Sequence, residues 1–424
     1  MMTEQLKTAG MPPRGSTEYA VKLLAPFLLC LLLCAPALAV VAGIWQPDHV
    51  SGALLTGGAI IAAAFMLGWI GEAAELDLAG GLSVGLLAVV TILPEYVVSV
   101  YFAFAAGSDP SMVQYASANV TGANRLLLGF GWPLVALIGY LALRANQRRG
   151  RAKAGSEKRF GIVVDSDART DLGFLLLGSA VALVIPFTQQ LHLAVGILLI
   201  LVFFAYLWRQ SHADREEPEL EGTAALVGAL QPWLRRTFIG VVFVLSAAII
   251  FVCAEPFAHD LVAAGADLGL NQYLLVQWLA PIASEAPEFS LALLFAAKGK
   301  PGLALAILIS SKVNQWTALT GSLPVAYLLG GGGAALPMDA RQVEEFTLTI
   351  GQTLLGIAFL LGLRLGARAA IGLAVLFAVT FVFPDQGVRL WLAGLYFVLA
   401  LVGFVAQRKH LPETLKAPFA VPRD

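Results

Sequence analysis

The sequence predicts an all-α polytopic membrane protein, and three observations lead to this fold class. Hydrophobic residues make up 58% of the 424 residues and charged residues only 13%, whereas soluble domains carry about 25% charged residues. The apolar residues are grouped in long, almost uncharged runs such as Val21–Ile44 and Gly52–Ile70, and helices of this length can cross about 30 Å of hydrocarbon. The sequence lacks the alternating patterns of about ten residues that are typical of membrane β-barrels.

About twelve transmembrane helices are predicted from these runs. The first run is longer than a signal-peptide core and lacks a suitable cleavage pattern, so we interpret it as a retained helix. Two of the segments, 173–187 and 369–383, are short for a full crossing. The predicted segments are 20–44, 51–70, 81–106, 112–143, 173–187, 191–209, 238–258, 271–298, 301–328, 346–366, 369–383 and 388–406.

The charge of the loops supports twelve helices rather than eleven. If the N-terminus is cytoplasmic, alternate loops hold nearly all the Lys and Arg residues of the loops, and the opposite loops hold only Arg341. An excess of Lys and Arg is typical of the cytoplasmic loops of membrane proteins. We therefore predict a multi-pass protein of the plasma (inner) membrane, with both termini and the basic loop 144–172 in the cytoplasm.

Two parts of the chain resemble one another, which indicates an internal repeat. In the first part Pro94-Glu95 is followed by Asn119-Val-Thr-Gly-Ala-Asn124 and then by Pro133. In the second part Pro287-Glu288 is followed by Asn314 and then by Pro324. The predicted topology runs segments 81–106 and 271–298 in opposite directions, so the repeat is inverted. Inverted repeats with proline-interrupted helices are typical of secondary transporters, whose substrate site lies near the membrane midplane.

The repeat also defines the predicted domain organisation. Each repeat contains five helices, and one extra helix flanks the pair at each end. The predicted regions are a cytoplasmic N-terminus with an extra helix (1–50), a first repeat with the basic loop (51–209), a cytoplasmic linker (210–237), a second repeat (238–383), and an extra helix with a cytoplasmic tail (384–424).

The two Pro-Glu pairs are the strongest candidates for a functional site. Pro94 and Pro287 each remove a backbone donor and free a carbonyl oxygen in the preceding turn. A carboxylate at membrane depth costs on the order of 2.5–3.5 kcal/mol or more, so Glu95 and Glu288 should face a polar cavity or a partner. We therefore expect these two carboxylates to lie close together near the midplane.

Other polar side chains near the two breaks complete an oxygen-rich candidate site. Oxygen ligands suit Na⁺, Ca²⁺ or Mg²⁺, and a soft ligand set for zinc or copper is missing from the sequence. The alternative interpretation is that these side chains join helices through hydrogen bonds. Glu285 is either a third ligand or a buried partner of Lys312. The candidate ligands besides Glu95 and Glu288 are Thr91, Asn119, Asn124, Ser284, Glu285 and Asn314, with Ser99, Arg125 and Lys312 as candidate modulators.

At these residues the chain resembles the cation/Ca²⁺ exchanger superfamily, which includes Na⁺/Ca²⁺ and Ca²⁺/H⁺ antiporters. The repeat of that family reads roughly Gly-Thr-Ser-x-Pro-Glu, followed by Gly-Asn-x-x-Gly-Ser-Asn. The matching residues are Thr91, Pro94, Glu95, Ser99, Asn119, Gly122 and Asn124 in the first repeat, and Ser284, Pro287, Glu288 and Asn314 in the second. The resemblance implies ten core helices, with 20–44 and 388–406 as additions. It also implies that the two glutamates bind the cations and that the Asn residues complete the ligand shell.

The chain departs from the family pattern at several of these positions. Ile309 stands where a polar ligand is expected, Lys312 replaces a Gly, and Arg125 follows Asn124 directly. We therefore expect at least one family ion site to be lost or altered. Lys312 is predicted to pair with Glu285 or Glu288. The alternative is that its ammonium group extends to the cytoplasmic interface.

The leading functional hypothesis is a secondary active cation antiporter, similar to sodium/calcium exchangers, which moves Ca²⁺ or Na⁺ (or H⁺). One alternative is a monovalent cation/proton antiporter in which Lys312 is an internal counter-cation that leaves when substrate binds. A membrane enzyme needs a nucleophile–base pair or a metal cluster at membrane depth, and the sequence shows neither; a transport-inactive structural relative is the other alternative. We expect no enzymatic activity and no cofactor. The predicted partners are the lipid bilayer and small cations, without nucleic acid, and the oligomeric state is left open.

Overall fold

The structure, a computed structural model, describes residues 13, 16–77, 81–149, 161–212, 220–383 and 385–420, with the backbone alone for 81–92. Nearly all of these residues form helices. The helices are α1 (Thr17–Val41), α2 (His49–Ala74), α3 (Gly81–Ser108), α4 (Val113–Leu126), α5 (Trp132–Arg148), α6 (Ala168–Ala182), α7 (Val184–Thr188), α8 (Leu193–Gln210), α9 (Gly222–Gly228), α10 (Pro232–Asp267), α11 (Gln272–Ala297), α12 (Pro301–Asn314), α13 (Thr320–Leu329), α14 (Ala340–Leu360), α15 (Ala367–Val382), α16 (Gln386–Ala406) and α17 (Leu411–Lys416).

The predicted all-α membrane fold class is confirmed. Each predicted segment coincides with one helix or with two helices in direct succession. Within the described residues, nine stretches are long and apolar enough to cross a membrane, and α15 is a shorter apolar helix. The number of twelve crossings and the inverted orientation of the repeat stay predictions.

Two helices differ from the predicted bounds by six residues or more. Helix α10 begins six residues before and ends nine residues after the predicted segment 238–258. Helix α14 begins at Ala340, whereas the segment was predicted to begin at 346. There the Asp339 side chain accepts from the Gln342 backbone, and the Gln342 side chain bonds back to the Asp339 backbone. This capping box starts the helix ahead of its apolar run.

The chain forms two compact units, residues 1–98 with 210–275 and residues 99–209 with 276–424. Each unit contains residues of both predicted repeats, so the predicted domain boundaries stay a prediction.

In the first unit, α2 packs along α10 and against α1. The Tyr19 hydroxyl at the start of α1 donates to the Leu226 carbonyl in α9, at 2.6 Å. Just after α2, the Asp77 carboxylate accepts hydrogen bonds from Arg235 and Arg236 at the start of α10. The N-terminus of α1, the residues just after α2 up to Asp77 and the segment before α10 therefore lie at one end of this unit. The predicted topology places all three in the cytoplasm.

In the second unit, four short strands form two antiparallel pairs. Strand β1 (Gly161–Val163) pairs with β4 (Arg364–Gly366), and β2 (Gln190–His192) pairs with β3 (Ala335–Pro337). Paired strands lie side by side, and each pair joins two loops that the sequence places on the same side of the membrane.

The C-terminal helix lies near the first of these strand pairs. Arg169, at the start of α6, bonds the Leu361 carbonyl at 3.2 Å and forms an ion pair with Glu413 of α17 at 3.0 Å. The C-terminal helix therefore lies at the end of the second unit that carries β1 and β4. Which end faces the cytoplasm is a prediction from loop charge alone.

Candidate functional site

The two parts of the predicted repeat have the same local structure in the second unit. A single π-helical turn, Leu127–Gly131, joins α4 to α5, and another, Gln315–Leu319, joins α12 to α13. Each π turn begins within three residues of a predicted Asn ligand, Asn124 or Asn314. Single π turns inside α-helices are frequent at functional sites. The π turns therefore lie beside the same two Asn residues that the sequence repeat identifies.

Helix α4 carries Asn119, Gly122 and Asn124 on buried positions. The Asn119 amide donates to the hydroxyl of fully buried Ser99 at 2.5 Å, and Oδ1 of Asn119 has no hydrogen-bond partner among the described residues. A Cβ atom at Gly122 would overlap the backbone oxygen of Gln277. Gly122 therefore allows α4 to approach α11 closely.

Helix α11 carries the second Pro-Glu pair and a further proline, Pro281. Oε2 of Glu288 is buried and lacks a hydrogen-bond partner in the described part of the chain. Glu285 is buried and accepts a hydrogen bond from the Gln315 amide of the π turn. The Ser284 hydroxyl donates to carbonyls of its own helix, those of Ala280 and Pro281, at 3.2 and 3.3 Å. This bonding favours a local structural role for Ser284.

Lys312 contacts a predicted ligand of the first repeat. Its ammonium group donates to the backbone oxygen of Asn124 at 3.0 Å and to Oδ1 of Asn124 at 3.2 Å. Only 1% of Lys312 is exposed, so the alternative that its side chain extends to the aqueous interface is wrong. Its pairing with Glu285 or Glu288 stays a prediction.

Arg125 belongs to a buried network of charges. It forms an ion pair with Glu345 of α14, and Glu345 also pairs with Arg389 of α16 and with Arg341, the latter at 3.1 Å. Arg389 lies 2.5 Å from the carboxylate of Glu344. The Arg125 side chain thus joins α4 to α14, and Arg389 joins α14 to α16.

Aromatic rings cover the remaining part of the Arg125 guanidinium. Its carbon atom lies 5.5 Å from the ring centroid of Trp278 in α11 and 5.9 Å from that of Phe377 in α15. Cations within about 6 Å of an aromatic centroid are attracted to the ring. Arg125 therefore also connects α4 with α11, the helix of the second Pro-Glu pair.

The remaining candidates from the sequence are Glu95, Asn314 and Thr91. Glu95 belongs to the first unit and is 4% exposed, and Asn314 of the second unit is also 4% exposed. The side chain of Thr91 lies outside the described residues. The proximity of Glu95 to Glu288 stays a prediction.

Several buried polar residues were not identified from the sequence. Gln315 follows Asn314 directly, and Gln277 is fully buried with neither side-chain polar atom bonded to a described residue. An amide inside an apolar run is a signal that could have identified both, because burying an unsatisfied polar group is costly. Glu344 and Glu345 fell just before the predicted start of their helix, and Arg389 lay at the edge of segment 388–406.

The oxygen atoms at these positions suit a hard cation as ligands. Buried oxygens without a hydrogen-bond donor among the described side chains include those of Asn119, Glu288 and Gln315. Carboxylate and amide oxygens are ligands for Ca²⁺. No group of three or more His, Cys, Asp or Glu side chains in the described ranges could hold a metal ion. A cation bound in this part of the chain would therefore also need amide or backbone oxygens.

Comparisons with known proteins identify a matching family and similar solved structures. The sequence profile described as sodium/calcium exchanger protein matches residues 48–211 and 238–408. The crystal structure of the H⁺/Ca²⁺ exchanger CAX is 34% identical, with 95% of this chain and 98% of that chain covered and a TM-score of 0.87. No curated protein sequence matches the chain.

Two more distant structures share the fold. Native YfkE is 18% identical over 88% of this chain and 99% of its own, with a TM-score of 0.61. The sodium-calcium exchanger NCX_Mj is 17% identical over 79% of this chain and 99% of its own, with a TM-score of 0.50. The family profile covers most of the chain, and CAX is similar along almost its full length. The chain therefore belongs to the sodium/calcium exchanger protein family.

Proposed function

We propose that the protein is a secondary active antiporter that exchanges Ca²⁺ for H⁺, and that Glu95 and Glu288 bind the transported ions. The observation that carries the proposal is the buried Glu288 oxygen, which has no donor among the described residues. Glu288 follows Pro287 directly, and the prediction that this proline interrupts the helix is wrong, because α11 continues through it from Gln272 to Ala297. The matching Pro94-Glu95 pair supports a role for both glutamates. The likeness to the H⁺/Ca²⁺ exchanger CAX supports the choice of ions.

Carboxylates can bind the two ions in turn. A bare carboxylate at membrane depth is costly. The cost arises whenever one of the two ions, Ca²⁺ or H⁺, has left the carboxylate and the other has not yet bound. Ca²⁺ compensates the charge by coordination, and a proton compensates it by forming the neutral acid. The same two side chains can therefore exchange one ion for the other without a long-lived bare charge.

Two other exchange reactions are the alternatives to Ca²⁺/H⁺ exchange. The family profile and the likeness to NCX_Mj keep Na⁺ as the alternative counter-ion. The monovalent cation/proton antiporter predicts that Lys312 leaves its position when substrate binds. We propose no enzymatic activity for this member of a family of exchangers.

The proposed location is the plasma membrane, with both termini in the cytoplasm. The basic residues of alternate loops support this orientation. Lipid and small inorganic cations are the proposed partners.

Flux into proteoliposomes separates the candidate reactions. Purified protein is reconstituted, and Ca²⁺ uptake is measured with an outward H⁺ gradient, with an outward Na⁺ gradient, and with neither. We expect uptake driven by the H⁺ gradient. Uptake driven only by Na⁺ would replace H⁺ as the counter-ion, and Na⁺/H⁺ exchange without Ca²⁺ uptake would favour the monovalent antiporter.

Matched variants then test the two glutamates. Glu95→Gln and Glu288→Gln keep the size of the side chains and remove their charge. Glu18→Gln is the control, because Glu18 is an exposed residue whose ion pair, among the described residues, is with Lys22 on the surface. We expect the first two variants to abolish uptake and the control to retain it.

A further inference from the structure

Lys312 bonds both oxygen atoms that Asn124 can offer to a cation. The backbone oxygen accepts at 3.0 Å and the side-chain oxygen at 3.2 Å. The ammonium nitrogen also lies 5.7 Å from the ring centroid of Trp316. Two oxygen acceptors and an aromatic ring together form a binding position for a small monovalent cation.

The rest of Asn124 is also engaged. Its amide group donates to the Val120 carbonyl at 3.0 Å, which fixes the side-chain oxygen on the side that faces Lys312. A metal ion that approached either oxygen would lie beside an ammonium group in a low-dielectric interior, where repulsion between like charges is strong. The contact with Lys312 therefore removes Asn124 from the ligands of a transported cation.

We infer that Lys312 is a resident cation, which permanently occupies a cation position at Asn124 and limits the exchanger to the ions held by its glutamates. This inference rests on the proposed function of Glu95 and Glu288. It differs from the monovalent antiporter alternative, in which the lysine leaves when substrate binds.

The surroundings of Lys312 favour residence over exchange. Lys312 is 1% exposed and Asn124 is fully buried. Departure of the ammonium would leave two buried oxygens without their donor, and the penalty for such groups is large at low dielectric. The π turn that begins at Gln315 follows Lys312 by three residues and carries Trp316, which also contacts the ammonium.

Ca²⁺ binding in different monovalent salts tests the inference. The purified full-length protein is titrated with Ca²⁺, and the dissociation constant is taken from Ca²⁺-dependent thermal stabilisation. Titrations are run at equal ionic strength in KCl, in NH₄Cl and in the chloride of N-methyl-D-glucamine, a cation too large for the position. Lys312→Gln removes the charge, and its side chain ends one atom short of the ammonium position, which is thereby left open; Lys312→Arg keeps the charge and the donors.

The wild type is expected to bind Ca²⁺ equally in all three salts. In N-methyl-D-glucamine, Lys312→Gln should bind Ca²⁺ about tenfold more tightly than the wild type, because one unit of repelling charge has been removed. K⁺ or NH₄⁺ should fill the vacated position and restore the wild-type constant. Lys312→Arg should behave as the wild type in every salt.

Two results would overturn the inference. One is a Lys312→Gln variant whose Ca²⁺ affinity is unchanged or lower and does not depend on the salt. The other is a wild type whose own affinity depends on K⁺ or NH₄⁺, which would mean that the lysine gives way to these ions. Lys312→Met provides the same comparison if the glutamine variant does not fold, and Lys298→Met is the control for an exposed lysine.

The design separates this inference from the proposed function. If the wild type shows no Ca²⁺ stabilisation, or if Glu288→Gln retains it, the proposed function fails. If both behave as proposed while Lys312→Gln resembles the wild type in all salts, the resident cation alone is refuted.

Discussion

Arg125, the residue directly after Asn124 in the chain, forms an ion pair with Glu345 in the interior of the second unit. Both side chains are completely buried. The sequence suggested Arg125 as a modulator of the ion site, because it follows Asn124 directly, and this role stays a prediction. In the structure its side chain reaches α14, where Glu345 and Arg389 extend the network to α16.

Removal of either partner should destabilise the protein. Arg125→Met leaves the Glu345 carboxylate with one counter-charge fewer, and Glu345→Gln leaves Arg125 without its carboxylate partner. Breaking a buried ion pair costs about 3–5 kcal/mol. We expect a clearly lower Tm in detergent for both variants. The matched surface control, Lys22→Met, disrupts only the exposed pair with Glu18, which is worth about 0–1 kcal/mol. Tm values for Arg125→Met or Glu345→Gln that equal the control value would show that the network does not stabilise the fold.

Gly122 is expected to tolerate no side chain. A methyl group there would overlap the Gln277 backbone oxygen, and a backbone atom cannot move aside as the end of a flexible side chain can. Overpacking costs about 1–3 kcal/mol, and here it would also separate α4 from α11. We expect Gly122→Ala to lower both Tm and Ca²⁺ uptake.

The control for this variant is Gly240→Ala in α10. A Cβ atom at Gly240 meets nothing within 4 Å, and Ala is favoured over Gly in a helix by about 1 kcal/mol. Gly240→Ala should therefore leave the Tm unchanged or slightly raised. Equal behaviour of the two variants would argue against close packing at Gly122.

The ion pairs of Asp77 with Arg235 and Arg236 are expected to lose their stabilising effect in acid. Hydrogen bonds from Arg235 and then Arg236 hold the pKa of the Asp77 carboxyl below its usual range. A carboxyl with a lowered folded-state pKa stabilises the protein above its unfolded pKa of about 3.9, and this contribution is lost as the pH falls through the folded pKa.

Thermal unfolding of the wild type and of Asp77→Asn between pH 3 and pH 6 measures this contribution. The wild type should be more stable than the variant at pH 6, and the difference should shrink as the pH falls below about 4. A difference that stays constant over this range would exclude the ionised carboxylate as its origin.

The topology can be tested with single introduced cysteines. Ser166 lies in an exposed loop next to β1, and Gly333 lies in an exposed loop next to β3. The native Cys30, Cys34 and Cys253 are buried, so their background labelling should be low. A membrane-impermeant thiol reagent should label Gly333→Cys on intact cells and Ser166→Cys only after permeabilisation. The reverse result would invert the orientation, and labelling of both would contradict the paired-loop arrangement.

The helices and the two Pro-Glu pairs could be predicted because their signals are local. A run of apolar residues and a proline beside a carboxylate are visible without knowledge of the rest of the chain. The partners of buried charges are not local: Lys312 meets Asn124 across 188 residues, and Arg125 meets Glu345 across 220.

A sequence pattern gives the type of a side chain but not the helix that this side chain contacts when it is buried. For this reason the sequence pointed only to carboxylates of the second repeat as partners of Lys312, a pairing that stays a prediction. The bonds from its ammonium to the two oxygens of Asn124 in the first repeat were not predicted. The π turns were missed for a related reason. The first turn, Leu127–Gly131, contains two glycines and precedes Pro133, whereas the second, Gln315–Leu319, contains neither glycine nor proline, so the two turns share no sequence pattern that identifies both.

Proton release on Ca²⁺ binding to the purified protein shows directly whether Glu95 and Glu288 bind the two ions in turn. Ca²⁺ is added to weakly buffered detergent-solubilised wild type, Glu95→Gln and Glu288→Gln, and both bound Ca²⁺ and released H⁺ are counted. If the two glutamates bind Ca²⁺ and H⁺ in turn, the wild type binds Ca²⁺ and releases protons, and each variant loses both. Ca²⁺ binding without proton release, or full binding and release by either variant, would contradict the account.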